Sequence, residues 1–155
     1  MTALNIGDNT PDFTLPSDGG TEVSLSAMRG KKIVLYFYPK DDTSGCTSQA
    51  QQFTLHNDEF VKADSIIIGV SKDSIKSHDK FKAKYGISFA LLSDESLDVA
   101  NKYGVWVEKS MYGRKYMGME RATFLIDASG KIAKIWRKVK ITGHVEEVLA
   151  TARNI

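Results

Sequence analysis

The fold is decided by residues 33–50, which read IVLYFYPKDDTSGCTSQA. The stretch opens with six apolar and aromatic residues, a pattern typical of a strand that is buried on both faces in the middle of a sheet. Pro39 ends that strand, because proline has no backbone N–H to donate to the neighbouring strand. A polar turn follows from Lys40 to Gly45, and helix-compatible residues then begin. The stretch therefore predicts a buried strand, a turn and a helix that starts beside Cys46.

Cys46 is the only cysteine of the chain, and its predicted position has chemical meaning. The first turn of a helix leaves backbone N–H groups unpaired and lies at the positive end of the helix dipole. Both effects favour a thiolate over a thiol. The nearby Thr43 and Ser44 offer hydroxyls to a thiolate or a bound substrate. A lone cysteine is often only a small buried apolar residue, but the polar neighbours of Cys46 favour a reactive thiol.

Length and composition bound the remaining possibilities. The 155 residues fit one domain, 1–155, and 42% hydrophobic residues suffice for a core. A net charge of +2 with interspersed signs predicts neither a nucleic acid nor a membrane as partner. The single cysteine excludes an internal disulfide, and no export signal is visible, so we expect a reducing cytoplasm.

Histidine placement gives no reason to expect a metal or a cofactor. The three histidines lie far apart in the sequence, without the spacing of a zinc site. We expect all of them on the surface, namely His56, His78 and His144.

The order of predicted elements indicates an α/β architecture. Residues 13–25 predict an N-terminal hairpin, and strands then alternate with helices at 31–38, 46–62, 65–70 and 75–85. Residues 105–119 predict a hairpin or extended loop around Gly113, and residues 121–127 and 132–137 predict paired strands before a last helix at 143–153. This order predicts a thioredoxin-like fold, a central mixed β-sheet flanked by helices.

The active turn also resembles a known family. The pattern Pro39-x-x-x-Thr43-x-x-Cys46 matches the peroxiredoxins, and the fuller text from Tyr36 to Thr47 resembles their bacterioferritin comigratory protein, or Q-type, subfamily. The resemblance extends over nearly the whole chain, through the segments GDNTPDF at 7–13, DSIKSHDKF at 73–81, LSD at 92–94 and RATFLID at 121–127.

The resemblance implies a role for each site residue. Cys46 would attack hydrogen peroxide or an organic hydroperoxide and become a sulfenic acid. Thr43 would hydrogen-bond the peroxide oxygens, and Pro39 would shield the pocket from water. Arg121 would stabilise the thiolate and the transition state with its permanent charge. The backbone N–H groups of Gly45 and Cys46 would add further donors.

Simpler interpretations exist for three of the polar residues. Arg121 could form a surface ion pair with Glu120 or Asp127, and Thr43 could merely cap the helix. Gln49 stands where such proteins often have Glu or Gln, but it could equally be an exposed helix residue.

The sequence departs from the family at the resolving cysteine. Many relatives carry it five residues after the first cysteine, where this chain has Gln51, and others carry it on the next helix, where residues 74–85 contain none. Ser77 in that helix is where we would expect a replaced cysteine. Ser44 also stands where a proline is often found.

One cysteine implies reduction from outside the chain. The resemblance then implies a monomer whose reductant is a small thiol, a thioredoxin, a glutaredoxin or the Cys46 of a second subunit. Two other functions remain open. The first is a redox-sensing module that oxidises once. The second is a thiol–disulfide oxidoreductase, which the lack of a Cys-x-x-Cys motif disfavours.

Overall fold

The computed structural model describes residues 3–155, which form nine strands and five α-helices. The strands are β1 (Thr14–Pro16), β2 (Glu22–Ser24), β3 (Lys32–Phe37), β4 (Ser65–Ser71), β5 (Ala90–Ser93), β6 (Trp106–Met111), β7 (Arg114–Met119), β8 (Ala122–Ile126) and β9 (Ile132–Trp136). The helices are α1 (Ser44–Leu55), α2 (Asn57–Lys62), α3 (Ile75–Tyr85), α4 (Asp98–Lys102) and α5 (His144–Arg153). Within residues 3–155 no helix combines the length and apolarity that crossing a membrane requires.

A five-stranded sheet forms the centre of the molecule, in the order β5-β4-β3-β8-β9. Strand β3 pairs in parallel with β4 and antiparallel with β8, so the sheet is mixed. Its middle position explains why Ile33 to Tyr38 are all buried. The predicted central mixed sheet, the flanking helices and the N-terminal hairpin of β1 with β2 are confirmed.

The alternation of side chains along β3 builds a core on each face of the sheet. Ile33, Leu35 and Phe37 pack toward the N-terminal hairpin and α4. Val34, Tyr36 and Tyr38 pack toward the other helices, in the same apolar cluster as Cys46. Cys46 therefore lies on the face of the sheet that these helices cover, against the central strand.

The predicted helix at 75–85 is bounded by local capping signals. Ser74 caps α3 by accepting the Ser77 N–H at 3.1 Å, and Gly86 ends that helix in the left-handed conformation. The single helix predicted at 46–62 is wrong, because α1 and α2 are separate helices with a break at His56. At the break His56 has φ −98° and ψ 4°, outside regular α-helical geometry.

The prediction that the histidines lie on the surface is also wrong. His78 is fully buried and His144 nearly so, while His56 is half-buried. Charge and sequence spacing gave no warning, since a histidine is buried when the fold supplies hydrogen-bond partners for its ring.

Candidate active site

Cys46 is the third residue of α1 and lies in its first turn. The strand that leads to it makes one last sheet bond, from the Tyr38 N–H to the Val70 carbonyl at 3.1 Å, before the half-buried Pro39 ends it. The Cys46 side chain is only 1% exposed. The local sequence thus produces the predicted strand, turn and helix start, and it buries the thiol.

Arg121 approaches the thiol from the residue before β8. Its Nη2 donates to the Cys46 Sγ at 3.4 Å, and its Nη1 donates to the Gln49 Oε1 at 2.7 Å. The guanidinium therefore uses its planar fork to bridge two residues of the first turns of α1. The surface ion pairs considered for Arg121 do not form, since Glu120 pairs with Arg137 at 3.5 Å.

Gln49 is fully buried and holds the guanidinium of Arg121 through a hydrogen bond. Its Oε1 accepts from Arg121, whereas its Nε2 finds no partner among the described residues. An unpaired buried donor costs roughly 1–3 kcal/mol. The side chain is therefore a support for Arg121 rather than the exposed helix residue that the sequence also allowed.

Gly45 allows the site to close tightly around Arg121. A Cβ at this position would lie 3.3 Å from the Arg121 Nη2 and 3.1 Å from the Ile141 Cδ1. Both distances are shorter than ordinary contacts, so a side chain here would push one neighbour away. The loop at residues 137–143, which carries Ile141, is itself bound to Arg121 through the Val139 N–H at 3.0 Å.

Thr43 stands at the N-cap of α1, with its side chain exposed. Its hydroxyl donates to the Lys40 carbonyl at 2.9 Å. That bond uses the only hydroxyl proton and leaves lone pairs that can accept a hydrogen bond from a bound molecule. Among the described residues, no hydrogen bond joins Thr43 to Cys46.

A buried network, missed by the sequence analysis, holds the start of the same turn at Asp41. The Asp41 carboxylate accepts from the Tyr38 hydroxyl at 2.6 Å, from the Ser77 hydroxyl at 2.8 Å and from the His78 Nδ1 at 2.7 Å. The Asp41 N–H in turn donates to the Asp73 carboxylate at 2.9 Å. This network ties the turn to α3 and the end of β4.

His78 carries a positive charge in this network. Its Nδ1 faces the Asp41 carboxylate and its Nε2 faces the Leu92 carbonyl at 2.9 Å, so both nitrogens must donate. Burial alone would lower the pKa of His78, but the Asp41 carboxylate and the Leu92 carbonyl outweigh it and raise that pKa above its ordinary value. The repeated Asp and Ser around residues 71–78 were the available signal, although they fit an exposed loop equally well.

His144 supports the other side of the site and is neutral. A hydrogen bond of 2.8 Å joins its Nε2 to the Thr123 Oγ1, and its ring packs edge-on against Phe53 of α1. Burial lowers its pKa to about 4, and the nearby charge of Arg121 acts in the same direction. The helix that bears Cys46 thus rests on an uncharged histidine.

An open basin lies beside Arg121, away from the buried networks. It has a volume of about 320 Å³. Its lining combines charged residues of both signs with two valines, and it comprises Val107, Glu108, Lys109, Glu120, Arg121, Lys138 and Val139. Burial and the neighbouring Arg121 lower the pKa of Lys109.

No three His, Cys, Asp or Glu side chains within residues 3–155 come close enough together to hold a metal ion.

Known proteins resemble this chain over most of its length. The AhpC/TSA family model matches residues 6–135. Putative peroxiredoxin bcp of Coxiella burnetii is 50% identical over 147 residues, which cover 95% of this chain and 97% of that protein. Peroxiredoxin Bcp of Bacillus subtilis is 47% identical over 152 residues, with 98% and 97% covered.

Solved structures agree with these relatives. The Xanthomonas campestris bacterioferritin comigratory protein, studied for its alkyl peroxide reduction activity, is 44% identical and superposes with a TM-score of 0.88 over 92% of this chain and 90% of that one. A mutant PrxQ of Xylella fastidiosa is 39% identical and gives a TM-score of 0.94, with 99% and 98% covered.

The Xanthomonas campestris Peroxiredoxin Q structures include two mutants that each replace a different cysteine by serine. Counted from Cys46, the spacing between those two cysteines reaches Lys82 on α3. The chain belongs to the AhpC/TSA family and, within it, to the Bcp peroxiredoxins.

Proposed function

We propose that this peroxiredoxin reduces hydrogen peroxide and organic hydroperoxides through Cys46, with electrons from an external thiol. The observation that carries the proposal is the Arg121 fork, which contacts the Cys46 sulfur and is held in place by Gln49. A permanent cation beside the sulfur stabilises the thiolate, and it also stabilises the negative charge that develops as the O–O bond breaks.

The chemical step is a displacement at oxygen. The Cys46 thiolate gives its electron pair to one peroxide oxygen, forming an S–O bond while the O–O bond breaks. The second oxygen leaves with that bond's electron pair and takes up a proton, so hydrogen peroxide yields water and an organic hydroperoxide yields an alcohol. Cys46 is left as a sulfenic acid.

The remaining residues bind and orient the peroxide. The Thr43 hydroxyl, with its proton engaged by Lys40, accepts a hydrogen bond from the peroxide O–H. The backbone N–H groups of Gly45 and Cys46 donate at the start of α1. Pro39 closes the pocket against water without adding a competing donor.

The reductant must come from outside the chain, because Cys46 is its only cysteine. The thiol attacks the sulfenic sulfur and releases water, and a second thiol then releases Cys46 by disulfide exchange. At Ser77, where we expect a replaced cysteine, the hydroxyl donates to the Asp41 carboxylate at 2.8 Å, whereas the cysteine spacing of the X. campestris protein, counted from Cys46, reaches Lys82.

A small thiol, a thioredoxin or a glutaredoxin suits this role in a reducing cytoplasm. We propose a monomer as the working unit, as the resemblance to the Q-type subfamily implies.

The test is peroxide consumption over many equivalents with dithiothreitol or a thioredoxin system as donor, beside intact mass after a single equivalent. Sustained consumption, and one added oxygen or one donor adduct on Cys46, is the expected result. The variant Cys46→Ser should consume no peroxide, while Ser48→Ala on the same helix should match the wild type. Near-normal consumption by Cys46→Ser would refute the proposal.

A redox-sensing role is the second candidate, favoured by the missing resolving cysteine. It predicts one oxidation event per chain and then no further consumption, whichever donor is supplied. The same two measurements therefore separate the two functions.

A further inference from the structure

The hairpin of β6 and β7 stands apart from the central sheet. The two strands pair only with each other, as a separate two-stranded sheet. Their register sets Met111 opposite Arg114, which leaves Tyr112 and Gly113 as a two-residue turn at the tip. The tip is therefore a narrow ribbon that solvent reaches from both sides.

Apolar side chains are concentrated at this tip. Eight large apolar side chains are exposed among residues 3–155, and four of them lie within this one turn and its flanks. They are Met111 at 56% exposure, Tyr112 at 99%, Tyr116 at 43% and Met117 at 51%. Isolated exposed apolar residues are ordinary, whereas four large ones gathered at one hairpin tip indicate a surface that something else covers.

Tyr112 adds a second, independent observation. Its φ is +52°, a left-handed conformation that suits Gly or Asn and costs a bulky residue about 1 kcal/mol. Tyr112 gains no packing in return, because its side chain is 99% exposed. Neither its backbone conformation nor packing within the described residues accounts for a tyrosine here, which points to a contact outside the chain.

The arrangement of the patch indicates what that contact is. Tyr116 lies opposite Lys109, and its neighbour Met117 lies opposite Glu108, so the two apolar side chains point to opposite faces of the ribbon. A folded protein partner covers one face of such a ribbon. The interfacial layer of a lipid bilayer is a fluid medium that can surround both faces and the tip together.

The charges at the tip select the kind of lipid. Lys109, Arg114 and Lys115 flank the apolar residues, while Glu108 is the one acidic residue of the hairpin and pairs with Lys115 at 3.7 Å. Lys138 lies on the same side, since it lines the basin together with Lys109. Each cation near an anionic surface contributes about 1 kcal/mol to binding, and tyrosine is favoured at the level of the headgroups.

We infer that the β6–β7 tip inserts into the headgroup layer of an anionic lipid bilayer. Val107 and Lys109 of the same hairpin line the basin beside Arg121, so insertion brings the basin close to the lipid. Lipid binding by the hairpin tip does not depend on peroxidase activity. The benefit of that binding rests on the proposed function, since it would place Cys46 beside hydroperoxides formed in lipid. The small net charge of the chain concealed this surface, because the cations are local to one hairpin and one loop.

The test is co-sedimentation of the full, reduced chain with vesicles of phosphatidylglycerol mixed with phosphatidylcholine, compared with phosphatidylcholine alone. Binding to the mixed vesicles at low salt, and little to the neutral ones, is expected, with a decline as ionic strength rises. Tyr112→Asn should weaken binding about tenfold, since asparagine accepts the left-handed conformation and removes only the aromatic ring. Leu55→Asn, at an apolar residue of 78% exposure on α1, is the matched control and should bind like the wild type.

Equal binding to both vesicle types, no binding, or equal losses from the two variants would overturn the inference. Sedimentation velocity tests the alternative that a second copy of this chain binds to the hairpin tip. A concentration-dependent dimer that Tyr112→Asn abolishes would assign the patch to a second copy and also overturn it. Consumption of soluble hydrogen peroxide without vesicles should be the same for Tyr112→Asn and the wild type, so a failure of the proposed function is seen separately.

Discussion

The two ends of the active-site turn, residues 39–46, are held in contrasting ways. At one end the Asp41 carboxylate receives three side-chain hydrogen bonds of 2.8 Å or less. At the other end the Cys46 sulfur receives, among residues 3–155, a single side-chain hydrogen bond, of 3.4 Å, from Arg121. Strong hydrogen bonds would stabilise the thiolate at the expense of its nucleophilicity. The turn is therefore fixed through Asp41, and the sulfur keeps its freedom to react.

Each end also rests on a buried histidine, in opposite charge states. His78 faces a carboxylate and a carbonyl and is a cation, whereas His144 faces a hydroxyl, aromatic rings and the Arg121 charge and is neutral. Burial is similar at the two sites, so the partners decide the charge. Stability should consequently respond to alkaline pH at one end of the turn and to acid at the other.

The largest effect is expected from removing the charge at the Cys46 end. Arg121→Met should lower kcat/KM for hydrogen peroxide by about 100-fold or more, because a fixed charge stabilises the developing negative charge of the transition state. The measurement is steady-state peroxide consumption, with thermal unfolding to verify that the fold is intact.

Arg121→Lys is the matched control for this prediction. Lysine keeps the charge but cannot bridge Cys46 and Gln49 with one planar group. It should therefore recover only part of the lost activity. Full activity in Arg121→Lys would mean that the fork to Gln49 has no role, and full activity in Arg121→Met would remove Arg121 from the site.

The second prediction concerns the removal of the carboxylate charge at the Asp41 end of the turn. Asp41→Asn should lower the free energy of unfolding by about 3 kcal/mol near neutral pH, because the buried His78 loses its countercharge. Denaturant titration measures the loss. Ser77→Ala removes one hydrogen bond to the same carboxylate and should cost only about 1 kcal/mol.

The pH dependence of this variant tests the charge of His78. The raised pKa of His78 means that its contribution to stability is complete below about pH 6.5 and is lost as pH rises through the folded-state value. Wild-type stability should therefore fall in the alkaline range, and Asp41→Asn should show a flatter curve. Parallel curves for the two proteins would show that His78 is not the cation proposed here.

The third prediction concerns the neutral histidine at the Cys46 end. Because burial lowers the pKa of His144 to about 4, the unfolded chain binds this proton more readily than the folded one. Wild-type stability should fall by roughly 2 kcal/mol between neutrality and about pH 4.5. His144→Gln should remove that part of the acid dependence, as measured by denaturant titration across this range. An unchanged acid slope in His144→Gln would contradict the assigned pKa.

The sequence predicted the Cys46 end far better than the Asp41 end. An apolar run, a proline and a polar turn are local signals, and they placed Cys46 at the first turn of a helix. The Asp41 network joins residues that follow β3 and β4, residues of α3 and the carbonyl of Leu92, which lie far apart in the chain. Its members are small or polar residues that also suit exposed loops, so no local pattern distinguishes them.

The break between α1 and α2 and the β6–β7 tip show the same limit. Apolar residues on both sides of His56 are compatible with one long helix, and only the packing of Phe53 and Phe60 against the sheet reveals two. The cations of the hairpin cannot be recognised from the net charge of the chain, because acidic residues elsewhere nearly balance the basic ones. Local pattern thus predicts elements, whereas tertiary contacts decide where elements break and which charges gather.

The smallest effect tests how closely Arg121 must approach the sulfur. In Gly45→Ala the added Cβ meets the Arg121 Nη2 at 3.3 Å and the Ile141 Cδ1 at 3.1 Å, so the guanidinium or the loop must shift by a few tenths of an ångström. Alanine favours a helix over glycine by up to about 1 kcal/mol, so the fold should be as stable as before. We expect kcat/KM for peroxide to fall by about tenfold without a loss in melting temperature. Unchanged activity would mean that Ile141 yields and that the Arg121 position tolerates a looser fit.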